Sequence, residues 1–461
     1  SAHLFGRLIA CLRLQGKFEE ALELGAPWLQ THAGTSFLFT EMGISAHRLG
    51  RGELALSYFE AALQLDPSVL PTALGKLRVF AEQGTPARAL KFGAEWAAVH
   101  AADSQFENEL AIVADRAGDL EQAQRRFLRA VELDPENPTL AGNAVEILCR
   151  QGAISESIQL GQRLLAKSPP NAYLLRRLAE AYCAHHEYLA AIDLLSSADV
   201  LEPEDDTVAL ALMRAAYDGG EGERGIEFGR IWLARPGNEG RAAVWVQFAR
   251  LCFRADYDDE AFCALQTAIE IEPDEIRHVC LRFGFWSALD DNNRITAEFR
   301  SVRTEWRGDA GLLRYVSKAN LELGLSEEAL NLAVQNVAAN PGDAEAAAWL
   351  AELHLRCDRW DQARDCIRDW TAVHGEQMEL IKVRAQLAMR NKFYAEALRD
   401  AETVLARDPS DEDSFVISIR ALRACDRDGE ARTRLHRWIE HERTSSRVSA
   451  LLDEDSSQKS D

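Results

Sequence analysis

Three arginines and two aromatic residues carry the clearest chemistry in this chain: Arg176, Arg214 and Arg250, with Tyr217 and Phe253 each three residues beyond the last two. Residues three apart share a helix face. Guanidinium groups form charge-assisted, often bidentate pairs with carboxylates, and aromatic rings add apolar anchoring area. Arginine beside aromatics is the composition of a protein-contact hot spot. The plainer alternative is a solvated helix surface whose arginines pair with nearby acids such as Glu180 and are worth little.

Other reactive residue types fall into no catalytic pattern. The chain has no phosphate-cradling glycine loop, no nucleophile elbow and no zinc-type cysteine pair. His185 and His186 are adjacent, so their side chains diverge, and no carboxylate or cysteine cluster completes a metal site. His278, His354, His374, His436 and His441 stand singly. No cofactor, metal ion or catalytic residue is assigned.

What must position the arginines is a repeat. The stretch Leu54 to Pro67 and the stretch Leu120 to Pro135 share one pattern: a small residue, a large apolar one four later, a small one three after that, then Pro. A period of about 34 residues means stacked supersecondary units, none able to bury its apolar face alone. Helix formers dominate, strand-like alternation is absent, and Gly or an Asp, His or Lys in its place falls between two helices. Pro67, Pro135, Pro203, Pro273, Pro341 and Pro409 close units, and the acid before most of them is expected to N-cap the next helix.

The unit from Ser36, with Phe39, Met42, Gly43, Ala46, Gly50, Ala55, Phe59, Ala62 and Pro67, resembles the tetratricopeptide repeat. The resemblance implies an all-α, right-handed superhelical solenoid of thirteen helix–turn–helix units. It covers residues 1–443, with starts near 2, 36, 70, 104, 138, 172, 206, 242, 276, 310, 344, 378 and 412. The seventh unit is long by two residues around Pro236, and the ninth is the poorest, with Ile295 where Ala is usual. Residues 444–461 read as a disordered acidic tail.

A second regularity spans two units. Gly25, Gly93, Gly161 and Gly229 recur at 68 residues, each followed three later by Trp28, Trp96, Leu164 or Trp232. Intervening units reverse the order, with Phe59 before Ala62 and Phe127 before Ala130. Glycine inside a helix costs about 1 kcal/mol relative to alanine, so four in register imply a packing need. The glycine is expected to make room and the tryptophan three later to fill it. A ligand-stacking ladder of tryptophans is the alternative; core packing is preferred.

The formal charge is −22 over 461 residues. The acidity is spread over the repeats, which argues against nucleic acid and anionic membranes as main partners. Nine cysteines without paired spacing favour free, mostly buried thiols in a reducing compartment. No apolar run approaches the length of a membrane span.

The resemblance also implies a groove lined by first helices, where one slot gives Glu146, Glu180, Arg214 and Arg250, and the next turn gives Cys149, Cys183, Tyr217 and Phe253. The family's carboxylate clamp has no matching residue set. Its asparagine ladder is missing too, Asn108 and Asn143 being isolated in different slots. The expected function is a non-catalytic, bacterial-style cytoplasmic scaffold or adaptor. It would bind a protein or peptide, an acidic or aromatic segment, at Arg176, Arg214, Tyr217, Arg250 and Phe253. Arg314, Tyr315 and Lys318 are a second candidate. The alternatives are a substrate-recruiting part of an enzyme such as a glycosyltransferase, a removed N-terminal segment carrying the catalytic domain or signal, and self-assembly through end repeats.

Overall fold

A computed structural model describes residues 2–167 and 170–441, together with Val448 and Leu451. Among the described residues there are twenty-six α-helices, one short 3-10 helix and no strand. The all-helical repeat solenoid expected from the periodicity is the fold. The helices come in pairs, whose first helices begin at Ala2, Ser36, Leu70, Ser104, Pro138, Ala172, Asp206, Ala242, Ile276, Ala310, Ala344, Met378 and Glu412. Two compact units divide the chain, Ser1–Ile271 with eight pairs and Glu272–Asp461 with five.

Each pair turns through one left-handed residue. Glycine takes that slot at Gly16, Gly50, Gly84, Gly118, Gly152, Gly220 and Gly324, while His186, Asp256, Asp290, Asp358, Lys392 and Asp426 take it at φ between 55° and 63°. Glycine reaches this region without steric penalty and aspartate tolerates it better than most side chains. Within each unit most successive first helices touch one another, and each second helix packs against the next first helix. Within each unit most first helices therefore lie side by side.

The local chemistry differs from expectation at the caps. Asp66, before Pro67, ends the preceding helix, and its carboxylate accepts from the Ser68 N–H. The N-cap lies three residues later in the register, at Thr35, Asp103, Asn171, Asp205, Asp343 and Asp411. The proline forces an extended linker first, so the acid before it is too far back to reach the new helix.

The glycine alternation has a definite partner, and it is not the tryptophan. A β-carbon on Gly25 would meet Met42, on Gly93 Leu110, on Gly161 Leu178 and on Gly229 Phe248, each within 2.7 Å. Every one of these glycines thus receives a large side chain from the next pair's first helix. The inverse holds at Phe59, whose ring lies against Gly43 and Gly75.

The tryptophans pack in the core. Trp96 Nε1 donates to the Pro67 carbonyl at 3.0 Å and its ring stacks on His100 at 4.2 Å; Trp370 repeats this with Pro341 and His374. Trp232 is fully buried, yet its Nε1 has no hydrogen-bond partner among the described residues; the equivalent Pro203 carbonyl accepts from Arg235 at 3.0 Å instead.

In the ninth pair the second helix shortens to Asn292–Phe299 and a 3-10 turn, Thr304–Trp306, follows. At the chain's end, Val448 and Leu451 are helical, fully buried and clustered with Phe415, Ile419 and Leu435, and Arg423 donates to the Leu451 carbonyl at 2.9 Å. The expected disordered tail is corrected at these two apolar residues, which continue the core. The rest of 444–461 lies outside the described residues.

Candidate first-helix contact face

Four first helices of the first unit carry the candidate residues: Pro138–Arg150, Ala172–Ala184, Asp206–Gly219 and Ala242–Arg254. Their apolar faces are buried through Leu178, Ala179, Leu212, Ala216, Phe248 and Leu251. That leaves the ninth residue of each helix on the outside: Glu146, Glu180, Arg214 and Arg250.

The two acidic positions neutralise their own neighbours. Glu180 accepts from Arg176 at 3.1 Å and from Arg177 at 2.9 Å, and Glu146 pairs with Arg177 at 3.0 Å. Burial works to lower the Arg177 pKa, but hydrogen bonds to Glu180 and Tyr173 outweigh it and leave it raised. Arg176 therefore belongs to a satisfied cluster, apart from the other candidates.

Arg214 and Arg250 are in a different state. Arg214 is 79% exposed, and its one ion pair among the described residues is a 3.7 Å contact to Asp218. Arg250 is exposed and has no ion pair among the described residues. Tyr217 is half-buried, and the Arg254 guanidinium lies over its ring at 4.3 Å. Arg254 is the residue that sequence reasoning missed. It follows Arg250 by one turn, so a search for i,i+4 arginines would have found it. Phe253 is half-buried beside it in sequence. Tyr217, Leu251, Arg254 and Tyr257 line an open cleft of 540 Å³ whose rim includes Glu221 and Arg224. Arg224 is already bound to Asp193 at 2.9 Å.

Arg254 is exposed over the Tyr217 ring and has no ion pair among the described residues, so its N–H groups are available. The arrangement suits in-plane pairing with a carboxylate. It suits nucleophilic chemistry poorly, since burial pushes the nearby Cys183 thiol up to about 11 and Cys252 up to about 12.

Other candidates resolve differently. His186 is the left-handed turn residue, with Nδ1 near the Tyr188 hydroxyl at 3.1 Å, and His185 Nδ1 lies 2.7 Å from Glu187. Asn108 and Asn143 are not isolated. Asn143 Nδ2 donates to Asn108 at 2.8 Å, and the Tyr173 hydroxyl donates to Asn143 at 2.7 Å. Different slots of neighbouring first helices thus meet. In the second unit Arg314 is neutralised by Glu345, while Lys318 is exposed. All nine cysteines are free, but only Cys252 is fully buried and Cys11 and Cys263 are exposed, so the expectation of mostly buried thiols is corrected. Among the described residues no helix is long and apolar enough to cross a membrane.

Paired helices of near-constant length, stacked through first-helix contacts, define a helical-repeat scaffold. The profile described as tetratricopeptide repeat matches residues 108–172, and a second of the same description matches residues 321–387, one in each unit. The chain is a tetratricopeptide-repeat protein, and in general terms a protein–protein interaction scaffold. Similar solved structures include YrrB, described as a tetratricopeptide-repeat protein with an unusual peptide-binding site, at 17% identity over 38% of this chain and 89% of its own, TM-score 0.31. Yeast Tom70 is 12% identical over 98% of this chain and 99% of its own, TM-score 0.44. MamA from Desulfovibrio magneticus RS-1 is 22% identical over 36% of this chain and 93% of its own, TM-score 0.32. No curated protein sequence matches the chain.

Proposed function

We propose that this scaffold binds an acidic protein segment on the first-helix face of its seventh and eighth pairs. One observation carries the reading: among the described residues Arg250 and Arg254 have no ion pair and Arg214 has only a 3.7 Å contact to Asp218, in a chain of net charge −22. Elsewhere acids quench arginines readily, as at Arg176 and Arg177. An incoming segment would set carboxylates on the three guanidinium groups and rest an apolar or aromatic side chain against Tyr217 and Phe253. The field of a basic strip on an acidic surface would steer it in. The protein itself performs no chemistry in this reading, and its nine unpaired thiols fit a reducing, cytoplasmic setting.

Cross-linking mass spectrometry on the captured partner of the intact chain tests this. Cross-links should fall within an acidic stretch of the partner, and R250E/R254E should abolish them. Cross-links to a basic or neutral stretch, unchanged in the variant, would remove the proposal.

A further inference from the structure

We infer that the second unit carries its own docking site, for a partner segment with one large apolar side chain flanked by carboxylates. The site lies on the first helices Ala344–Arg356, Met378–Arg390 and Glu412–Ala424. They enclose an open cleft of 570 Å³. Part of its floor is apolar: Met389 and Ile417 are half-buried at the surface, with Leu355 and Val416 buried, and Gln386 joins them in the lining. Its rim holds Arg356, Arg390 and Arg420 against Glu352 and Asp413.

The rim charges are unequally satisfied. Arg356 is held by Glu352 at 2.9 Å and Glu322 at 3.6 Å. Arg390 has one long contact, 3.6 Å to Asp358. Arg420 is exposed and has no ion pair among the described residues. In a strongly acidic chain this leaves Arg420 without an ion pair and Arg390 loosely paired among the described residues, both lining the same cleft as those apolar side chains. Charge complementarity therefore selects an acidic occupant, and the floor selects an apolar anchor between the acids. Met389 suits such a floor, because a thioether chain adapts to aliphatic or aromatic anchors alike. Two such sites, one in each unit, would let a single chain hold two partners together.

A random-peptide phage library panned on the full chain carrying R214E/R250E/R254E tests the inference without contribution from the three arginines of the first unit's face. Enriched peptides should combine a large apolar residue with flanking Asp or Glu. R390E/R420E in the same background should weaken them about tenfold or more, and M389A should weaken them while sparing the acidic preference. Circular dichroism melts of both variants should match the parent. Enrichment of nothing, of peptides without acids, or of peptides bound equally by well-folded R390E/R420E would overturn it.

Discussion

Gly229 and Phe248 occupy one space: a β-carbon on the glycine would lie 2.5 Å from the phenylalanine ring of the next helical pair. Gly229→Ala should therefore destabilise the protein by about 1–3 kcal/mol through overpacking. Phe248→Ala should cost about 3–5 kcal/mol through a cavity. The double variant should lose less than the sum in urea melts, because the new methyl enters the vacated space. Additive losses would mean that the two residues do not share it.

Trp96 and Trp232 sit in equivalent slots with unequal hydrogen bonding. Trp96→Phe leaves the Pro67 carbonyl without its donor, whereas Trp232→Phe removes an indole N–H that has no partner among the described residues. Trp232→Phe relieves an unpaired buried N–H, which costs about 1–3 kcal/mol, whereas Trp96→Phe loses a bond worth about 1 kcal/mol to an exposed proline. The Trp96 variant should be the less stable of the two in parallel melts, despite nearly equal volume changes. Equal losses would argue that the Pro67 bond contributes nothing.

Arg230 holds Glu260 through two hydrogen bonds, Nε at 2.8 Å and Nη2 at 2.5 Å, and these keep the Glu260 carboxyl below its usual range. A depressed carboxyl pKa adds stability above the unfolded value, about 4.3, and that stability is lost as pH falls through the folded value. Wild type should exceed Arg230→Gln in melting temperature at neutral pH, and the gap should close on acidification. High salt should narrow it as well, since both groups are partly solvated.

Val448 and Leu451 close the apolar end of the last helical pair. Val448→Ala with Leu451→Ala should lower stability, with about 2–5 kcal/mol from Leu451 alone. A melt indistinguishable from wild type would return these residues to the solvated tail that composition implies.

The local part of the fold was legible because it is written at short spacing. Left-handed turns announce themselves as Gly or Asp, helix faces as small and large residues three and four apart, and the pairing of Arg176 with Glu180 as an i,i+4 contact. What escaped depends on how one pair meets the next. Gly229 answers to Phe248 rather than to Trp232, Arg314 is quenched by Glu345 thirty-one residues on, and Asn108 meets Asn143 from a different slot. No linear spacing encodes the tilt between neighbouring helices. The available charge at Arg250 and Arg254 became visible only once neighbouring carboxylates could be placed and found elsewhere.

The most direct test is the affinity of a fluorescein-labelled, glutamate-rich peptide for the intact chain, followed by anisotropy at low and high salt. R214E/R250E/R254E should weaken binding about tenfold or more and flatten its salt dependence, with the melting temperature unchanged. Reversing the exposed second-helix arginines Arg125 and Arg129 should leave binding as it was. Equal affinity of wild type and the triple variant, both folded, would contradict an acid-binding face on the seventh and eighth pairs.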